Sequence, residues 1–227
     1  MKLTNKISGV LITLIVFLSF IYAAERVAVV TKVKGSVEVK TTGKSNFAPL
    51  KKGFVLNDRD LIRTGSDGAL VVVYLDDKSM LKVKANTDLE IRGTRSGEGL
   101  SKKVDMMAGT LKANVSKQRK GDFAISTPTS VASVKGTEFW IMSDPLLGDK
   151  LIGIEGLVEL LNLVSGEVIN VGVNQTGTST PNGTLNVEET NPEDIPEDIE
   201  VEEEIHELRI QLQDVDGQEK ELIIKFQ

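Results

Sequence analysis

The chain has 227 residues, with 27 Lys or Arg against 33 Asp or Glu, one His, one Trp and no Cys. That length bounds the answer to one large or two small domains, and the missing cysteine excludes disulfides, thiolate catalysis, Cys-based zinc sites and a lipid-modified cysteine. The net charge of −6 conceals a split: residues 25–150 hold 22 Lys or Arg against 15 Asp or Glu, whereas residues 151–208 hold no Lys or Arg.

The first stretch, residues 1–24, reads as an address and not as fold. Lys2 and Lys6 precede an apolar run from Val10 to Tyr22, and Ala23-Ala24 closes it before charge resumes at Glu25. This is the pattern of a secretory signal peptide, with an uncleaved N-terminal anchor as the alternative because Ile21 or Tyr22 stands where a small residue is preferred. Export without cysteine suits a bacterial periplasm or cell surface. Only an uncleaved first segment would touch a membrane.

Residues 25–175 read as one all-β domain. Short β-branched runs recur ("VAVVTKV", "SVEVK", "ALVVVYL", "SMLKVK", "DLEIR", "TLKANV", "DFAIS", "SVASV", "TEFWIM", "KLIGI", "LVELLNLV", "EVINVGV") with Gly- or Asp-rich punctuation between them. Many short strands at this spacing predict a β-sandwich or roll, or a β-solenoid-like body. "LVVVYLDDKSMLKVK" (70–84) predicts a hairpin whose turn lacks the usual glycine. Phe139 and Ile141 share one face of a strand, so Trp140 takes the other. Either a second layer covers that tryptophan or it is exposed for contact.

The sequence then turns polar at "TGTSTPNGT" (176–184) and acidic at "VEETNPEDIPEDIEVEEE" (187–204), which carries ten Asp or Glu. Residues 176–206 are expected to form a disordered linker. Residues 207–227 alternate on both sides of Asp-Val-Asp-Gly and predict a second, C-terminal hairpin.

The equipment for catalysis is sparse. His206 lies in the acidic tail, so a Ser-His-Asp arrangement within residues 25–175 is impossible. Asp214, Asp216 and Gly217 begin like a calcium loop but lack its later ligands. No Walker or Gly-x-Gly-x-x-Gly pattern occurs, and dispersed lysines with few aromatics argue against nucleic acid. The expectation is a non-enzyme with no cofactor and no metal.

Five pieces in one order carry a resemblance: "VKGSVEV" (33–39), "LKKGFVLNDRDLIRTGSDGALVVVYLDDKSMLKVKANTDLEI" (50–91), "MMAGTLKANV" (106–115), "FAISTPTSVASVKGTEFWI" (123–141) and "IGIEGLVELLN" (152–162). Over residues 33–175 the chain resembles the FecR family, whose namesake regulates iron-citrate uptake. The motif positions are Arg63, Thr64 and Gly65, then Gly136, Thr137 and Phe139, then Glu155 and Gly156, all read as structural turns. Arg63 is expected to pair with Asp58 or Asp60. Arg59 and Lys78 stand where the family usually has glycine, so those two turns are expected to differ; Asn174 also stands where a glycine is common. Regulators of this type carry a cytoplasmic anti-sigma region ahead of their membrane segment. Only about six residues precede the apolar run here, so the sigma-binding role is not expected to carry over.

What the resemblance implies is an exported interaction module of the cell envelope. It would engage an envelope protein through strand edges, with the basic strands favouring an acidic partner or the chain's own tail. The alternative is a structural protein binding peptidoglycan or surface polysaccharide, with Trp140 and Tyr74 as candidate contact residues.

Overall fold

The computed structural model describes residues 25–96, 99–118, 121–199, 206–213 and 219–226. The segment read as a signal peptide lies outside the described residues. No helix among those described is long and apolar enough to cross a membrane.

The first half of the chain supplies β1 (Arg26–Lys34), β2 (Val37–Lys40), β3 (Ala48–Pro49), β4 (Val55–Asn57), β5 (Asp60–Thr64), β6 (Ala69–Tyr74), β7 (Met80–Val83) and β8 (Asp88–Ser96). A long strand, β9 (Gly99–Asn114), follows. The second half is a train of hairpins, β10 (Phe123–Ser126) with β11 (Ser130–Val134), β12 (Glu138–Asp144) with β13 (Gly148–Glu155), β14 (Val158–Asn162) with β15 (Val168–Val171), and β16 (Gln175–Ser179) with β17 (Leu185–Glu189).

Pairing resolves these strands into two sheets. Sheet 1 runs β4-β1-β6-β7-β9-β12-β13-β16-β17. Sheet 2 runs β3-β2-β5-β8-β9-β10-β11-β14-β15. The inner faces pack on each other through an almost wholly aliphatic core, and Tyr74 of β6 meets Phe123 of β10 edge-on, with ring centroids 5.4 Å apart. The body is therefore a β-sandwich. It also advances like a solenoid, because successive hairpins from β10 onward drop alternately into sheet 2 and sheet 1.

Strand β9 belongs to both sheets. Residues up to Ala108 pair with β8 or β10, and residues from Gly109 pair with β7 or β12. The change of sheet falls at Gly109, where φ is 114° and a Cβ would lie 2.2 Å from Thr87 Oγ1. Only glycine fits that corner.

One sequence expectation changes here. Residues 176–189 form the β16–β17 hairpin instead of opening a linker. Threonine is a strand former, and Pro181-Asn182-Gly183 supplies the turn. Thr176 and Ser179 are buried, with Ser179 Oγ accepting from Asn162 Nδ2 at 2.8 Å. Arg59, Lys78 and Asn174 adopt left-handed backbone, the region glycine enters without steric cost, at φ 65°, 66° and 57°. At the β6–β7 turn, Asp77 helps by accepting from Ser79 N at 2.9 Å. The C-terminal hairpin is present as β18 (His206–Gln213) against β19 (Glu219–Phe226), and its Asp-Val-Asp-Gly turn lies outside the described residues.

Candidate functional site: a lysine face closed by an acidic strap

The outer face of sheet 1 follows from strand alternation. On β9, Leu111 and Ala113 point into the core, so Lys112 points out; Lys82 on β7 and Trp140 on β12 do the same. Register places Lys82 opposite Lys112, Lys112 opposite Trp140, and Trp140 opposite Ile152. Lys84 and Lys112 reach over the indole from 5.8 and 5.7 Å.

The acidic run lies across this face. Its start is fixed by Thr190, whose N–H donates to Asn174 O and whose hydroxyl bonds that of Thr176 at 2.9 Å. Asn191 then caps a single 3-10 turn, Pro192–Asp194, by accepting from Glu193 N. Asp194 pairs with Lys150 at 3.1 Å, Glu197 accepts Lys84 Nζ on its carbonyl at 2.7 Å, and Asp198 takes Lys82 at 3.0 Å and Lys112 at 2.9 Å. Glu138 of β12 holds Lys112 from the other side at 2.6 Å. Burial alone would push Asp198 up, but hydrogen bonds and charge from Lys112 and Lys82 prevail and hold its carboxyl below the usual carboxylate range. Lys112 is the mirror case: burial would lower it, and Asp198 and Glu138 raise it.

Trp140 is consequently only 1 % exposed, and Tyr74 is 0 % exposed within the core. Both had been candidate contact residues, and neither ring is open to a ligand in this structure. Two layers account for it: Tyr74 faces inward, between the sheets, and Trp140 faces outward against lysine side chains with the acidic segment laid across them.

The motif residues gather at two corners. Thr64 is buried, its hydroxyl donating to Lys84 O at 2.7 Å and accepting from Thr87 N, while Gly65 N donates to Ser36 O. Arg63 reaches neither Asp58 nor Asp60. It pairs at 2.8 Å with Asp88, its cross-strand partner on β8, and its guanidinium lies 4.6 Å from the Phe47 ring centroid. Asp58 instead accepts from Gly93 N, and Asp60, fully buried, accepts from Thr42 N and Asn57 N. At the second corner, a Cβ on Gly156 would lie 2.8 Å from Thr137 Cγ2 and 3.0 Å from Gly136 O, so these motif glycines meet. Phe139 is core and Glu155 is exposed.

Two buried polar clusters escape sequence reasoning. Lys102 has a wholly buried side chain and bonds Asp76 at 2.6 Å and Asp77 at 2.7 Å. Burial raises Asp77, but the bonds from Lys102, Gln118 and Ser79 outweigh it and hold the group low. The Tyr74 hydroxyl has no hydrogen-bond partner among the described residues; burial first, then Asp77 and Asp76, push its ionisation up, so the phenol stays neutral. In the second cluster, Thr127 and Ser130 hydroxyls donate to Asp149 Oδ2 at 2.5 Å. The Thr-Pro-Thr-Ser string was a signal for that turn, but not for its carboxylate partner across the sandwich.

The edges of the two sheets are unequal. At one end they are β3, two residues with Pro49, and β4, three residues. At the other they are β15 and β17, whose outer edges pair with nothing among the described residues. Around them Leu157, Leu163, Val164, Val168 and Val173 are between 49 % and 64 % exposed.

This geometry defines a class: an all-β sandwich whose special surfaces are a covered basic face and an open sheet end. Residues 60–147 match the family model described as FecR protein. Two crystal structures of a "putative anti-sigma factor" from Parabacteroides distasonis are similar to it, at 18 % and 17 % identity. Each match covers 58 % of this chain and 60 % of the other, with TM-scores of 0.48 and 0.49. No curated protein matches the chain in sequence.

Proposed function

We propose that this chain is an exported, non-catalytic interaction module of the bacterial cell envelope that binds a protein partner by strand addition at the β15–β17 end. The match of residues 60–147 to the FecR family model supports a regulatory or interaction role, and the sequence of residues 1–24 supports export. The carrying observation is the contrast between the two sheet ends. Natural sheets blunt free edges with short strands and proline, as β3 and β4 do, because an open edge recruits other strands. β15 and β17 have no proline and are longer, and Val168 on β15 and Val187 on β17 are exposed. An added strand would gain main-chain hydrogen bonds from the edge and specificity from alternate side chains. The glycan reading lacks its stacking rings, since Trp140 and Tyr74 are buried.

The test is capture of envelope proteins by the wild-type chain and by a Val168→Lys/Val187→Lys variant. Loss of a specific partner with unchanged melting temperature is expected. Equal capture by both would reject the edge as the binding surface.

A further inference from the structure

The second special surface supports a separate conclusion, independent of the edge reading. We propose that the outer face of sheet 1 around Trp140, Lys82, Lys84 and Lys112 is a binding site for an extended acidic peptide segment of a partner protein, and that residues 190–199 are a tethered occupant that keeps it closed.

Three observations carry this. First, the occupant shows what the face accepts: an extended chain read by two carboxylates and one main-chain carbonyl. Nothing in that pattern is peculiar to this chain, since Asp194 and Asp198 serve as carboxylates and Glu197 through its backbone. Second, the strap is held almost entirely by charge. Its 3-10 turn buries no residue, Ile195 is 39 % exposed, and Asp198 keeps 40 % of its side chain in solvent. Contacts of this kind exchange readily, and salt and competing carboxylates weaken them. Third, the face beneath is unlike an ordinary solvent face: the chain's single tryptophan lies there between two lysines and next to Ile152. A large aromatic placed among cations is a familiar anchor for a partner.

The covalent tether explains why the site is shut. The strap follows β17 directly and is pinned at Thr190, so its local concentration is in the millimolar range expected for short tethers. An external acidic segment must displace it. Weakening the strap's own carboxylates therefore opens the face without altering the receptor residues.

The experiment uses the full chain and its Asp194→Asn/Asp198→Asn variant, with a fluorescein-labelled synthetic peptide of residues 187–204 as the probe. Peptide anisotropy and Trp140 emission with iodide quenching are both read at low salt. In the variant, emission moves to the red, quenching rises, and the peptide binds at least tenfold more tightly than to the wild-type chain. Adding Lys112→Gln to the variant removes that gain, while its melting temperature reports that it is folded. Three results would overturn the proposal: unchanged Trp140 emission and quenching in the double variant, equal peptide affinity for both proteins, or a wild-type dimer by sedimentation that exchanges straps between copies.

Discussion

Asp60 offers a sharp test of how the fold is tied. Its carboxylate is 0 % exposed and spans a turn, accepting from Thr42 N at 3.0 Å and Asn57 N at 2.9 Å. A hydrogen bond to a charged acceptor contributes about 1.5–3 kcal/mol, so the two together give roughly 3–6 kcal/mol against leaving both amides unmet. Removing the carboxylate also relieves the cost of desolvating it, which lowers the expected net loss for Asp60→Ala to about 2–4 kcal/mol. Asp60→Asn keeps one acceptor oxygen and turns an amide group toward the other N–H, so a loss of about 1–2 kcal/mol is expected. Urea unfolding followed by circular dichroism measures this. With a slope of roughly 2–3 kcal/mol per molar, the alanine variant's midpoint should fall by about 1 M at unchanged slope. An alanine variant within about 0.5 kcal/mol of wild type, the range of an ordinary surface change, would refute the amide-clamp argument.

Lys102→Met leaves Asp76 and Asp77 without their buried cation and should cost about 2–4 kcal/mol near neutral pH. Because Asp77 is held low in the fold, that stabilisation is full above the ordinary carboxylate range and is lost as pH falls from there through Asp77's depressed value; the deficit should shrink in acid, and a deficit that stays constant until the acid unfolding of both proteins would contradict this account. Lys78→Gly relieves a left-handed backbone at an exposed turn position and should raise stability by up to about 1 kcal/mol, the relief being partly offset by glycine's greater unfolded-state entropy; a lower melting temperature would show that Lys78 is not strained. Asp198 also titrates below the usual range in the closed form, so the strap's grip is full above about pH 5 and is lost as pH falls through that depressed value. Trp140 emission should redden in acid before the far-ultraviolet signal changes, and in Asp198→Asn it should show no such step.

Strand content and the β6–β7 hairpin were legible because short β-branched apolar runs recur with turn residues between them. The length of β9 was not: Lys102 occupies an inward position between Leu100 and Val104, and a charge there breaks the alternation that marks a half-buried strand. Its partners come from a turn 25 residues away, which no local window contains. The same distance hid Asp88 from Arg63, since the pairing depends on β5 lying beside β8 rather than on nearness along the chain. Charge alone offered attraction between basic body and acidic tail as one option beside a solvated linker. Which lysines receive the tail was not legible, because sheet register brings Lys82 and Lys112 together. Trp140 could be assigned to a face by alternation, while its cover comes from residues that composition marks as solvated.

Because β9 serves both sheets, it also sets the order in which the molecule can form. Before Asn114 is in place, β7 and β8 each lack a neighbour, and β10 and β12 have no strand to receive them. The last strand of the first half is the first of the second, so neither half has a complete sheet without it. The expected outcome is a single folding nucleus around the Gly109 corner, from which both halves grow, with the later hairpins adding locally and fast while β1 waits for its distant pairing with β6. Pulse-labelled hydrogen exchange in which β16 or β1 amides are protected ahead of those of β9 would exclude that order.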